Sequence, residues 1–268
     1  MIKYKIKAIA DMPKGTRIVL SPISARLSTK HQYRVALNKM LRGLANAYRL
    51  TVLPALKNYR RLTRDSDLTT DSEEWFNAFE SIGDDLERET ASVASQILAT
   101  EAARHTRVFG EAAKSSLGVD LSSVITEEDL FEYLRDASSR NANLIKSLKN
   151  DTIKDIRRIV FEAKMDGRSF KKVANELADR FDISVKRARL IAEDQTNKLN
   201  ADLNRIRQEQ ADIDSYTWQH SGDERVRSRH RAINGREYKW GESTDAEAGL
   251  PPGQPVRCRC TARAVITF

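Results

Sequence analysis

Near the C-terminus three side chains carry the chemistry of soft or borderline metal ligands: His230, Cys258 and Cys260. One imidazole and two thiolates suit a tetrahedral Zn²⁺, and Asp223 or His220 is placed to complete the set. The spacing complicates this reading. Residues one apart in an extended strand point to opposite faces, so Cys258 and Cys260 share an ion only if the backbone bends there, which Pro255 and the loop before it permit. Buried free thiols beside a hydrogen-bonded histidine, or a disulfide, stay open as alternatives. A structural zinc would hold together a C-terminal segment of roughly fifty residues, a size at which the hydrophobic core is thin.

The same residues allow a catalytic reading to be weighed. His230 with Asp223 and Asn234 could serve a metal-dependent nuclease, the histidine activating water. No histidine follows His230, so a site needing a second one downstream has none to use. Arg225, Arg227, Arg229 and Arg231 alternate and could contact phosphates, or form a solvated or subunit-facing surface. No G-x-x-x-x-G-K-[ST] loop is present, which excludes a P-loop ATPase. His105 lies on an apolar helix face with Glu101 one turn earlier and reads as a satisfied core histidine. On balance the residues argue against an enzyme.

The elements that must position these groups are mostly helical. Of 268 residues, 40% are hydrophobic and 31% charged, enough for about two domains. No stretch has the apolar length of a membrane span, and MIKYKIKAIADMPKG lacks the continuous apolar run of a signal peptide. The fold class expected is mainly α with a small α+β C-terminal module, built of long packing helices and a short β-hairpin or sheet. Four segments divide it: 1–64, a basic arm with an edge strand and an amphipathic helix; 65–117, a long helical segment; 118–214, a helical core; and 215–268, the Cys/His module.

Within the arm, Ile2, Tyr4 and Ile6 alternate with Lys3, Lys5 and Lys7 as in an edge strand. A helix from about Ser28 should kink or stop near Leu53 at Pro54. Trp75, Phe79, Ile82, Leu86, Val93 and Ile97 continue a helical stripe that Gly83 or Gly110 should break. Thr126-Glu127-Glu128-Asp129 resembles a capping box. Further helices end at Asp166-Gly167 and begin at Ser169 and Ser184. The short turn Phe181–Ser184 could make a helix-turn-helix over 169–200, with Lys186, Arg187 and Arg189 opening the second helix. Any αα-hairpin shares these features. After Asp214, Ser215–His220, Arg236–Trp240 and Ala262–Phe268 read as extended, with Asn234-Gly235 as a hairpin turn.

Charge is distributed unevenly. Segment 1–64 carries +14, segment 65–150 carries −10, segment 151–214 carries +1 and segment 215–268 carries +3, for a total of +8. The arm residues Lys3, Lys5, Lys7, Lys14, Arg17, Arg26, Lys30, Arg34, Arg60 and Arg61 would attract nucleic acid or an acidic protein. Alternatively, the arm folds back on the acidic middle of its own chain.

The run WQHSGDERVRSRHRAINGREY followed by PPGQPVRCRC resembles the C-terminal region of the Mu F-like family of tailed-bacteriophage minor head, or head morphogenesis, proteins. The matching positions are Trp218, Gly222, Asp223, Glu224, Arg225, Arg227, His230, Gly235, Pro251, Pro252, Gly253, Cys258 and Cys260. The helical stretch upstream is similar too, so the resemblance covers about residues 120–265. There Ala192-Glu193-Asp194-Gln195-Thr196 departs from the Arg-Thr-Glu-Thr of the family. The resemblance implies a virion protein present in few copies, made in the host cytoplasm and located inside the phage head near the portal vertex. Its implied partners are the portal protein, major capsid or scaffold protein, and DNA during genome packaging or ejection. A DNA-binding regulator using 169–200 is the alternative from another class.

Overall fold

The computed structural model describes residues 4–62, 70–125, 130–166 and 168–268. Among these residues there are six helices: α1 Ile6–Ile9, α2 Leu27–Leu62, α3 Thr70–Leu117, α4 Phe131–Met165, α5 Phe170–Gln210 and α6 Ser228–Ala232. The four strands are β1 Arg17–Val19, β2 Ser215–Gln219, β3 Glu237–Lys239 and β4 Thr261–Thr267. They form one antiparallel sheet in the order β1-β4-β2-β3. The mainly helical class with a small C-terminal sheet is therefore the one the residues predict. The chain packs as two compact units. One comprises Met1–Lys30, Ile97–Ala137 and Glu193–Phe268; the other comprises His31–Gln96 and Ser138–Ala192. The units interleave segments, where a reading along the chain divides it at 64, 117 and 214.

Among its described residues the second unit contains helices and no strand. Gly43 on α2 lets Leu86 of α3 come so close that a Cβ would lie 2.7 Å from its methyl carbon. Gly83 on α3 similarly admits Ile153 of α4, at 2.9 Å from a would-be Cβ, and Leu44 of α2 at 3.3 Å. α3 runs unbroken through Gly83 and Gly110, at one of which a break was expected; at Gly83 tertiary packing outweighs propensity, whereas Gly110 faces open space. Tyr48 and Phe79 meet edge to face at 6.4 Å. The buried Tyr33 hydroxyl donates to Asn141 Oδ1 at 2.5 Å, and buried Lys149 pairs with Asp84 and with Glu87, the latter at 2.6 Å. Pro54 does not interrupt α2. The carbonyl it deprives of a partner belongs to Leu50, an exposed residue, so water can replace the lost donor.

No turn separates helices at Phe181–Ser184; α5 is continuous through it. Ser184 looks like an N-cap, yet its buried hydroxyl bonds back to the Arg180 carbonyl at 3.2 Å and meets the Thr152 hydroxyl at 2.9 Å. Arg187 is tied to Asp151 and to the Ser147 hydroxyl. The helix-turn-helix over 169–200 is therefore not formed.

The first unit holds the C-terminal module. Phe109, Ala113 and Leu117 of α3 pack with Tyr4, Ile6, Leu20 and Ile23 and with Ala264 and Ile266 of β4. Leu98 and Ala102 of α3 join Leu199 and Leu203 of α5. The expected edge strand at residues 2–7 is absent from the described part: Tyr4 and Ile6 are buried around an exposed Lys5, as alternation predicts, but the chain turns into α1 at Ile6. The amides of Tyr4 and Ile6 donate to the carbonyls of Gln210 and Ala211 at the end of α5, so no strand partners them. The strand near the N-terminus is β1, paired with β4 through Ile18 and Ile266. Lys3 and the capping-box residues Thr126–Asp129 lie outside the described residues.

Candidate metal centre

α5 supplies the platform. It ends with Asp212 at a positive φ of 59°, a left-handed cap that turns the chain into β2. Gln208 in its last turn accepts from the Trp240 indole at 3.0 Å and donates to the Ala262 carbonyl at 3.2 Å, fixing the sheet to the helix. β2 pairs with β4 along its whole length, from Ser215↔Val265 to Gln219↔Thr261, and with β3 through Tyr216↔Tyr238. The link from β2 to β3 is not a two-residue hairpin. It contains α6, and Asn234-Gly235 ends that helix, with Gly235 at φ 79° donating to the Trp218 carbonyl at 2.7 Å.

On this frame His230, Cys258 and Cys260 come together. The His230 Nδ1 lies 3.6 Å from the Cys258 sulfur and 3.5 Å from the Cys260 sulfur. All three residues are buried, and the three ligand atoms lie within 4.8 Å of one another. Trp218 of β2 lies edge-on to the imidazole at 5.0 Å and forms a small core with Ile233, Ala246 and both cysteines. The strand-alternation problem is resolved because Cys258 and Cys260 precede β4. Arg257 sits at φ 60°, its amide held by Asp194 of α5 at 2.8 Å, and the Cys258 amide donates to the Pro255 carbonyl at 2.8 Å.

Asp223 is not part of this cluster. Its carboxylate is spent on Arg259, at 2.6 Å from Nη2, and on the Arg225 amide at 3.0 Å. Burial works against its ionised form, but the hydrogen bonds from Arg259, the Arg225 amide and Ser221, with the Arg259 charge, together hold it below the usual carboxylate value. His220 is turned away as well, accepting from the Gly222 amide at 2.9 Å. With Asp223 paired to Arg259 and His230 facing sulfur, the nuclease constellation of His230, Asp223 and Asn234 is not assembled; Asn234 accepts from the His220 amide at 2.9 Å instead.

Glu247, which the sequence does not single out, completes the inner arrangement: His230 Nε2 donates to its carboxylate at 2.6 Å. Burial raises the Glu247 pKa, and the His230 contact with Arg227 beyond it brings the net below normal. Between the thiols, a hydrogen bond from Cys260 holds Cys258 below the ordinary thiol value and pushes Cys260 above it. Gly253 donates to the Cys258 sulfur at 3.4 Å. Its own φ is 87°, and a Cβ there would lie 2.7 Å from that of Ala201 on α5. Arg227 donates to the Val256 carbonyl at 2.7 Å and Arg231 to the Asp223 carbonyl at 3.0 Å. The motif residues thus close a compact knot.

The basic positions have different surroundings. Lys5, Lys7 and Lys14 are exposed, and Arg34 meets His31 at 3.1 Å. Arg17 pairs with Glu237 at 2.7 Å and Arg26 with Glu101 at 3.5 Å, so part of the arm does fold back on acids of its own chain. Lys30 lines a cleft of about 450 Å³ with Asn200, His220, Arg259 and Cys260; burial and then Arg259 depress its pKa. The side chains of Arg60 and Arg61 lie outside the described residues.

Comparison with known proteins agrees with the resemblance read from the motif. Residues 154–263 match the family described as Phage Mu protein F like protein. The match begins inside α4 and ends in β4, so it contains the whole knot. An uncharacterized protein of Haemophilus influenzae is 29% identical over 217 residues, covering 80% of this chain and 43% of that protein. The chain thus spans less than half the length of this relative. No solved structure matches.

Proposed function

We propose that this chain, whose residues 154–263 form a phage Mu protein F-like module, is a minor head protein of a tailed bacteriophage, acting without catalysis in head morphogenesis. One observation carries the non-catalytic part of the reading: the motif residues are consumed by internal bonds. Trp218, His230, Cys258 and Cys260 are buried together, Asp223 binds Arg259, and Arg227 and Arg231 hold loop carbonyls. A motif spent in this way preserves a shape for docking and presents no open constellation of reacting groups.

In this reading the protein is a virion component in the head interior near the portal vertex, with the portal protein as principal partner and major capsid or scaffold protein as neighbours. The exposed Lys5, Lys7 and Lys14 face DNA during packaging or ejection, or an acidic protein surface. Among the described residues no helix is long and apolar enough to cross a membrane. Removing the gene from its phage tests the proposal. Particle assembly or infectivity should fail and be restored by the full chain in trans. Normal particle yield and infectivity without the protein would refute it.

A further inference from the structure

We propose that His230, Cys258 and Cys260 bind one Zn²⁺, with Glu247 as a positioning residue that orients the imidazole. This site does not depend on the head-protein reading. The distances supply the first argument. Bond lengths of about 2.3 Å to sulfur and about 2.0–2.1 Å to nitrogen give a tetrahedral S···N edge of about 3.6 Å. The two observed separations are 3.6 and 3.5 Å. Both sulfurs therefore already sit at the corner-to-corner spacing that a shared ion imposes on them.

Proton placement supplies the second. The His230 Nε2–H is committed to Glu247 at 2.6 Å, which leaves a single lone pair on Nδ1 facing two sulfurs. A hydrogen-bonded arrangement can use that lone pair for one S–H, whereas a metal uses the nitrogen and both sulfurs together. The carboxylate–histidine pairing is the outer support that ligating histidines commonly have. Charge supplies the third argument, since two thiolates and a dication sum to zero, the balance a buried site requires. Oxygen-seeking cations such as Mg²⁺ or Ca²⁺ do not suit this donor set. Among the described residues no fourth His, Cys, Asp or Glu joins the three.

The test uses the full chain, produced in zinc-supplemented medium, reduced and gel-filtered. Elemental analysis should find about one zinc per chain, and Asp223→Asn should leave that content unchanged. Cobalt added to the metal-free chain should give thiolate-to-metal charge-transfer absorption. A Cys258→Ser/Cys260→Ser double variant should lose the metal. Because that variant alters two core residues and can fail to fold, Glu247→Gln carries the second arm: with the circular dichroism of the parent, it should bind zinc about 10–100-fold more weakly in chelator competition. Three results would overturn the site: a folded parent chain with less than about a tenth of an equivalent of metal and no charge-transfer band with cobalt, a Cys258–Cys260 disulfide in the folded protein, or metal retained by the folded double-serine variant. Unchanged affinity in Glu247→Gln would overturn the role given to Glu247.

Discussion

Gly253 is under two constraints at once, a φ of 87° and a close approach to Ala201 of α5, whereas Gly15 has a φ of 88° and open space around it. Gly253→Ala should therefore lower stability by about 2–4 kcal/mol, combining backbone strain with overpacking, and Gly15→Ala by about 1–2 kcal/mol from strain alone. Urea midpoints at unchanged m-value would read the difference. Equal costs would show that the approach to α5 does not matter. Pro251-Pro252-Gly253 is recognisable in the sequence as a loop, and His230, Cys258 and Cys260 as possible co-ligands. Glu247 and Asp194 are not legible in this way. The first lies 17 residues from the histidine it orients and the second 63 from the amide it holds, and no local pattern encodes such pairings. Asp223 failed as a ligand because Arg259, the residue between the two cysteines, takes its carboxylate.

The helices illustrate the limits of punctuation read from local residues. Ile183 is half exposed on a continuous α5, so Ile183→Pro should cost about 3 kcal/mol or more and reduce helical circular dichroism. A tolerated proline would restore the turn that Phe181–Ser184 suggests. Ser184 misleads because the same hydroxyl that caps a helix can bond back within one, and here burial against Thr152 selects the second use. α3 and α5 also meet at His105, whose Nε2 lies 3.2 Å from Asn204 Oδ1. Burial drives this histidine down to about 3, with Asn204 opposing. In the unfolded chain it titrates near the usual 6.5. As pH falls, the unfolded state takes the proton first, so this contribution is complete above about 6.5 and is lost progressively towards about 3. His105→Gln should flatten the fall in stability between about pH 7 and 5, measured by denaturation at each pH. An identical slope in the variant would show that His105 is not the titrating group. The apolar face of the helix made His105 readable as a core residue, although nothing in the sequence located Asn204.

Across the whole molecule, strands far apart in sequence pair to close the sheet, Arg17 opposite Thr267 and Ser215 opposite Val265. Residues of strand-forming type marked β2 and β4 as extended, but they could not identify β1 as the partner, because register over such separations is set by tertiary packing. Charge is similarly only half legible: the excess in 1–64 is plain, yet Arg17 and Arg26 are spent on Glu237 and Glu101. If Lys5, Lys7 and Lys14 contact DNA, binding of the full chain to duplex DNA should weaken steeply with salt. Changing the three to glutamate should lower the slope by about 0.9 for each phosphate no longer neutralised. A shallow slope, indifferent to the substitutions, would assign these lysines to a protein partner. The assignment to the phage head is tested most directly by quantitative mass spectrometry of density-purified particles, counting this chain against the portal protein. The account predicts that it remains with intact heads in a fixed, small ratio to portal. Its absence from purified heads, with portal present, would contradict the account.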